Sequence, residues 1–137
     1  MPLFASSEEL YAIQGPFLEN LTVHPVLGPK LATAGTSFSL LYSEPDAIFG
    51  MDCTQDPPVF SAGDDAAGRE FKVRIQMRAD DGHRFWLGKL KAPVALATRK
   101  LKVSGAMTEL MGLLPILGPV YGNYREHLIG SGHESLV

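Results

Sequence analysis

Four histidines, one cysteine and the adjacent aspartates Asp80 and Asp81 are the first residues of this chain to weigh for polar chemistry. His24, His83, His127 and His133 lack the i, i+4 spacing that puts two imidazoles on one helix face toward a metal, and none has a cysteine partner. His83 beside Asp80 and Asp81 has the composition of a general base with an orienting carboxylate. Asp80 is better explained as a helix cap, and His83 as a surface residue of a short helix. Arg84 and Lys89, near the same helix, could attract the carboxylate or phosphate of an amphiphile; the alternative is ordinary solvated charge. No Gly-x-Ser-x-Gly elbow, phosphate loop or dinucleotide fingerprint occurs. The single Cys53 cannot form an intrachain disulfide and reads as a small buried hydrophobe in a reducing compartment. No catalytic residue, metal site or cofactor is expected.

The surrounding composition is that of an ordinary globular domain. The formal charge is −3, and the 12 Lys and Arg are spread along the chain without clustering, so nucleic acid is not an expected partner. A chain of 137 residues buries about two-thirds of its unfolded surface, enough for one domain over residues 1–137 without disulfide or metal. Met1-Pro2-Leu3-Phe4 runs straight into Ser6-Ser7-Glu8-Glu9, with neither a basic n-region nor an apolar h-region. No apolar run reaches the length of a membrane span, and Ser135-Leu136-Val137 differs from the Ser-Lys-Leu peroxisomal address. The expectation is a soluble cytoplasmic protein with no stable membrane insertion.

The elements that must position these residues follow from periodicity. Ser6-x-x-Glu9 is a capping box that starts a helix from about Ser7 to Leu21, which Gly15-Pro16 should kink or split. Pro25 to Ala34 reads as a second helix, capped by Gly35. The period then turns to two: Thr36–Tyr42 and Ala47–Cys53 form a hairpin, Val59–Ser61 a weaker strand, and Phe71, Val73, Ile75 and Met77 the apolar face of a fourth. A short helix His83–Leu87 ended by Gly88 and another at Val94–Thr98, with Pro93 in its first turn, lead to a fifth strand at Lys100–Val103. Gly105 permits a tight exit into a helix Ala106–Leu114, and a last amphipathic helix carries Val120, Tyr121, Tyr124 and Leu128. The two short helices should lie across the buried face of the sheet, giving an α+β fold.

Within this arrangement Ala79-Asp80, Gly88-Lys89-Leu90, Ala95, Lys100-Leu101-Lys102-Val103 and Gly105 match, without insertion or deletion, a signature that resembles the sterol carrier protein type 2, or non-specific lipid-transfer, domain family. The match covers about Phe71 to Leu114. Two positions depart from the pattern: Lys91-Ala92 replaces an Asn/Asp-Pro pair, with Pro93 one residue late, and Arg99 replaces the turn glycine.

The resemblance implies a five-stranded sheet with helices over one face and an apolar tunnel between them that binds fatty acid, fatty acyl-CoA, sterol or another lipid. The sheet would contribute Phe49, Met51, Val73 and Ile75 to its wall, and the short helix Phe85 and Trp86. Met107, Leu110, Met111, Leu114 and Leu117 would follow from the apolar segment, with Tyr121 near one mouth. That segment leaves little but Thr108, Glu109 and Gly112 for water, more apolar surface than one buried stripe needs, although plain core or a dimer contact would also use it. Its methionines suit a ligand of varied shape. The competing function is an enzyme, or its ligand-binding subunit, acting on a steroid or acyl-CoA intermediate; a third is a module whose apolar helix mediates self-association.

Overall fold

The computed structural model describes residues 3–137; the part of the N-terminal reading that rests on Met1 and Pro2 lies outside it. Ser6 Oγ accepts a hydrogen bond from the Glu9 N–H at 3.1 Å, and α1 (Ser7–Val23) starts where the capping box places it. Pro16 does not split α1. Pro16 and Ala12, whose carbonyl loses its helical partner, are both exposed, while Ile13, Phe17 and Leu18 anchor the flanking turns in the core. His24 stops the helix and caps the next, its Nδ1 accepting from the N–H groups of Val26 and Leu27 at 3.1 and 3.0 Å. α2 (Leu27–Ala32) is accordingly shorter than the expected span, and Gly35, at φ +62, turns the chain into the sheet.

The strands are β1 (Ser37–Ser43), β2 (Ala47–Asp52), β3 (Val59–Ala62), β4 (Val73–Arg78) and β5 (Leu101–Gly105), in spatial order β3-β2-β1-β4-β5. Only β1 and β4 pair in parallel; β1–β2, β2–β3 and β4–β5 are antiparallel. The register aligns Phe38 with Val73, Leu40 with Ile75 and Tyr42 with Met77, so one face is continuously apolar. Val73, Ile75 and Met77 face the helices, as the alternation requires, and Lys72, Arg74 and Gln76 face away. The fold is thus α+β, a five-stranded mixed sheet with helices over one face.

Phe71 departs from the expected phase. It precedes β4, and its ring lies against Gly50, where any Cβ would strike it. Gly50 pairs with Ser39 on one side and Ser61 on the other, and both serines are buried, so this row of small residues on the outer face makes room for one aromatic ring. A short helix in the preceding loop, α3 (Asp64–Ala67), carries no sequence periodicity long enough to announce it.

β4 runs directly into α4 (Ala79–Trp86), and the cap position belongs to Arg78. Asp80 and Asp81 lie inside the first turn instead, where carboxylates complement the helix dipole; Asp80 Oδ1 accepts from the Leu3 N–H at 3.0 Å and Asp81 pairs with Arg84 at 2.8 Å. α5 (Ala92–Ala97) has Pro93 in its first turn. It ends in a Schellman turn: the Lys100 N–H returns to the Ala95 carbonyl at 2.9 Å, and Arg99 takes the left-handed position at φ +59. A side chain there costs about 1 kcal/mol relative to glycine. After β5 come α6 (Met107–Leu113), a 3₁₀ turn at Leu114–Leu117, α7 (Gly118–Gly130) and a final 3₁₀ turn at Glu134–Leu136.

Candidate functional site

The sheet and its helical cover meet along a seam whose walls are entirely apolar. Phe38, Leu40, Ile75, Met77 and Leu101 form its floor. Phe85 and Trp86 from α4, Ala92 and Leu96 from α5, Leu110 and Leu113 from α6, and Leu114 and Leu117 from the 3₁₀ turn form its roof. The remaining space is about 10 Å³, room for roughly one water. An outer groove of about 320 Å³ lies beside it, walled by Leu90, Pro93, Met111, Pro115 and Tyr121, with Lys91 its charged member. Ala92 and Leu114 line both spaces, so they are the partition between groove and seam.

Of the expected wall residues, Ile75, Phe85, Trp86, Leu110, Leu114 and Leu117 converge on the seam. Phe49 and Met51 instead flank a separate closed gap beside Leu18, under α1, because β2 lies nearer that helix than α6. Val73 is fully buried core without a face on the seam. Met107 and Met111 are 46% and 57% exposed: the helical turn that points Leu110 and Leu113 inward turns both methionines out. Met111 and Tyr121 border the outer groove. The floor residues Phe38, Leu40 and Leu101 were legible as strand residues, but which part of the sheet the seam lies over depends on strand order.

Behind the seam a row of hydrogen bonds crosses the core. Trp86 Nε1–H donates to the Tyr42 hydroxyl at 3.0 Å, Tyr42 donates to Gln14 Oε1 at 2.7 Å, and Gln14 Nε2–H donates to the Tyr124 hydroxyl at 3.4 Å. Tyr124 then meets His83 Nδ1 at 2.8 Å, and His83 Nε2 meets the Leu136 carbonyl at 2.6 Å. His83 is therefore no surface residue: it is 2% exposed, both ring nitrogens are engaged, and burial lowers its pKa. It was expected outside because a helix of eight residues shows too few turns for its buried face to be read from sequence. Burial likewise pushes the Tyr42 and Tyr124 hydroxyls well above the usual phenol range. Cys53 is buried and its thiol is pushed up to about 12 by desolvation, with the neighbouring Asp52 charge adding to the effect. His127 Nε2 bonds the Ile13 carbonyl at 2.8 Å, tying α7 to α1.

Among the described residues no group of three His, Cys, Asp or Glu side chains converges as a metal site, and no helix is long and apolar enough to cross a membrane. The architecture is a mixed sheet of this order, roofed on one face by short helices over an apolar seam. The chain has the sterol carrier protein 2 fold. It is similar to sterol carrier protein 2 from Yarrowia lipolytica in its apo form, with a TM-score of 0.65 at 16% identity over 88% of this chain and 98% of that one. It is similar to the sterol carrier protein domain 2 of Helicoverpa armigera, with a TM-score of 0.63 at 13% identity over 84% and 87% of the two chains. The ubiquinone synthesis protein UbiJ-SCP2 superposes with a TM-score of 0.56 at 9% identity, covering 81% of this chain and 94% of its own. No protein-family model and no curated protein sequence matches the chain.

Proposed function

We propose that this protein binds a lipid-like molecule without covalent chemistry, in the seam between sheet and cover, and carries or presents it. A fatty acid, a fatty acyl-CoA or a sterol fits such walls. The observation that carries the reading is the wholly apolar lining of the seam and its partition of two small elements, Ala92 on α5 and Leu114 on the 3₁₀ turn, from an open apolar groove. A drug-sized ligand needs roughly 300 Å³ or more, so binding joins the two spaces by displacing Leu114 and the turn that holds it. Trp86 contributes a ring face and no free donor, since its N–H is held by Tyr42. Volume and shape then select the tail. Lys91, at the groove, is placed to pair with an acidic head group.

Burying about ten methylenes at roughly 0.8 kcal/mol each yields about 8 kcal/mol gross. Ordering of the ligand and lost self-packing of the seam remove several of these, which leaves micromolar affinity. We read the protein as a carrier and not as an enzyme: His83 spends both nitrogens on Tyr124 and Leu136, which supports a structural role for the residue best suited to base chemistry. Leu114→Asp tests the reading, because Leu114 is half-buried and the variant can fold. Binding of a fluorescent fatty acid should weaken at least about tenfold, since a carboxylate in the partition must stay desolvated or take up a proton. Glu109→Gln, on the polar side of α6, should bind as the parent does. A folded Leu114→Asp variant with parental affinity would remove the seam from the site.

A further inference from the structure

Arg99, Lys100 and Lys102 lie within four residues of one another, and the fold brings Arg78 and Arg84 beside them. β4 and β5 present Arg74, Lys102 and their neighbours on the outer face, opposite the seam, because alternation sends every second side chain of each strand there. At the ends of β1, β4 and β5 this face becomes a groove of about 540 Å³. Its walls carry Arg78, Arg84, Arg99, Lys100 and Lys102 against one carboxylate, Asp81. Asp81 is committed to Arg84 at 2.8 Å, and Arg78 is paired with Glu44 at 2.9 Å. Arg99, Lys100 and Lys102 have no ion-pair partner among the described residues. Arg99 holds its charge over the groove from a left-handed backbone position where glycine is the unstrained residue.

We propose that this groove is an anion site for a soluble molecule bearing a diphosphate or triphosphate group, separate from the apolar seam. Three cations free of carboxylates on one concave wall, within a chain of net charge −3, concentrate positive potential at a single place. A phosphate chain offers several oxygens, each able to meet a guanidinium fork or an ammonium, and a group with two or more charges uses all three. A concave wall suits a small ligand that enters it better than a flat lipid surface. The two spaces meet at Met77, which lines both, while Gln76 and the cations border the groove alone.

The test is titration of the whole chain with inorganic tripolyphosphate, followed by amide NMR at low ionic strength and repeated at higher salt. Saturable shifts are expected at Gln76, Arg99, Lys100 and Lys102, weakening as salt rises. Lys102→Gln and Arg99→Gly should each lower affinity by about two- to fivefold, while Lys30→Gln, on α2, should not. Arg99→Gly should also raise the melting temperature, because it removes backbone strain; a side chain with only a structural role would not lose affinity and gain stability together. Absence of saturable shifts at these amides, or equal weakening in Lys30→Gln, overturns the proposal. So does capture of the protein by phosphatidylserine vesicles, sensitive to the same substitutions, with no response to tripolyphosphate.

Discussion

His83, Tyr124, Gln14, Tyr42 and Trp86 show how one set of distances decides a protonation state. The Leu136 carbonyl only accepts, so His83 Nε2 carries the proton; the neutral ring then leaves Nδ1 to accept from Tyr124. Each earlier member of the row donates in the same direction. A second proton on His83 would face the Tyr124 hydroxyl with a donor and place a charge in the core. Burial is accordingly the largest cause of the lowered pKa, followed by the Leu136 bond, which acts the other way; Lys89 and Arg84 lower it further and Asp80 raises it. The unfolded chain therefore binds this proton more readily than the folded one, so the contribution is complete above the unfolded value of about 6.5 and fades as pH falls from there through the folded value. Urea unfolding at pH 7.5 and pH 5.5 should show a lower midpoint in acid. In His83→Gln the difference should shrink, and an unchanged difference would assign the effect to other groups.

At the scale of elements, two glycines separate backbone need from mere tolerance. Gly105 has φ +95 and lies against the Lys72 carbonyl, which a Cβ would strike, while the following Ala106 N–H bonds that same carbonyl at 2.9 Å. Gly105→Ala should cost about 1–3 kcal/mol and loosen the exit from β5 into α6. Gly112 lies within α6 with nothing near its would-be Cβ, and Gly112→Ala should stabilise by about 0.5–1 kcal/mol. Chemical denaturation of both variants checks the pair, and the two changes should have opposite signs. The same contrast explains the cover. α6 and the Leu114–Leu117 turn put Leu110, Leu113 and Leu117 into the core but leave both methionines in water, so this element rests on a narrow apolar stripe.

For the whole molecule the closed seam has a kinetic consequence. A ligand cannot occupy a space of about 10 Å³, so association with the seam has to wait for the partition at Ala92 and Leu114 to open. In stopped-flow mixing with a fluorescent fatty acid, the observed rate should level off as ligand concentration rises. A rate that climbs linearly through saturating concentrations would mean that the open groove alone holds the ligand. Trp86, 1% exposed beneath the cover, should report the same event by a change in emission or acrylamide quenching.

What could be read without coordinates was whatever a local period or a short-range steric rule imposes. The alternation at Val73, Ile75 and Met77, the cap at Ser6, the role of Pro93 and the turn at Gly105 each depend on neighbours within a few residues, and each came out as expected. The order of the later elements followed in the same way from the caps, glycines and periods of residues 71–114, and the family resemblance agrees with it. What required the tertiary structure was everything set by strand order and helix facing. Whether Phe49 or Phe38 borders the seam depends on where β2 lies relative to α6, and whether Met111 or Leu113 points inward depends on how far α6 is rotated. His83 entered the core because α1, α7 and the C-terminal turn, distant in sequence, supply Gln14, Tyr124 and Leu136 to one line. Arg99, Lys100 and Lys102 are already neighbours in sequence, whereas Arg78 and Arg84 join them only when β4 and β5 pair, for proximity across a sheet is a property of register and not of sequence distance.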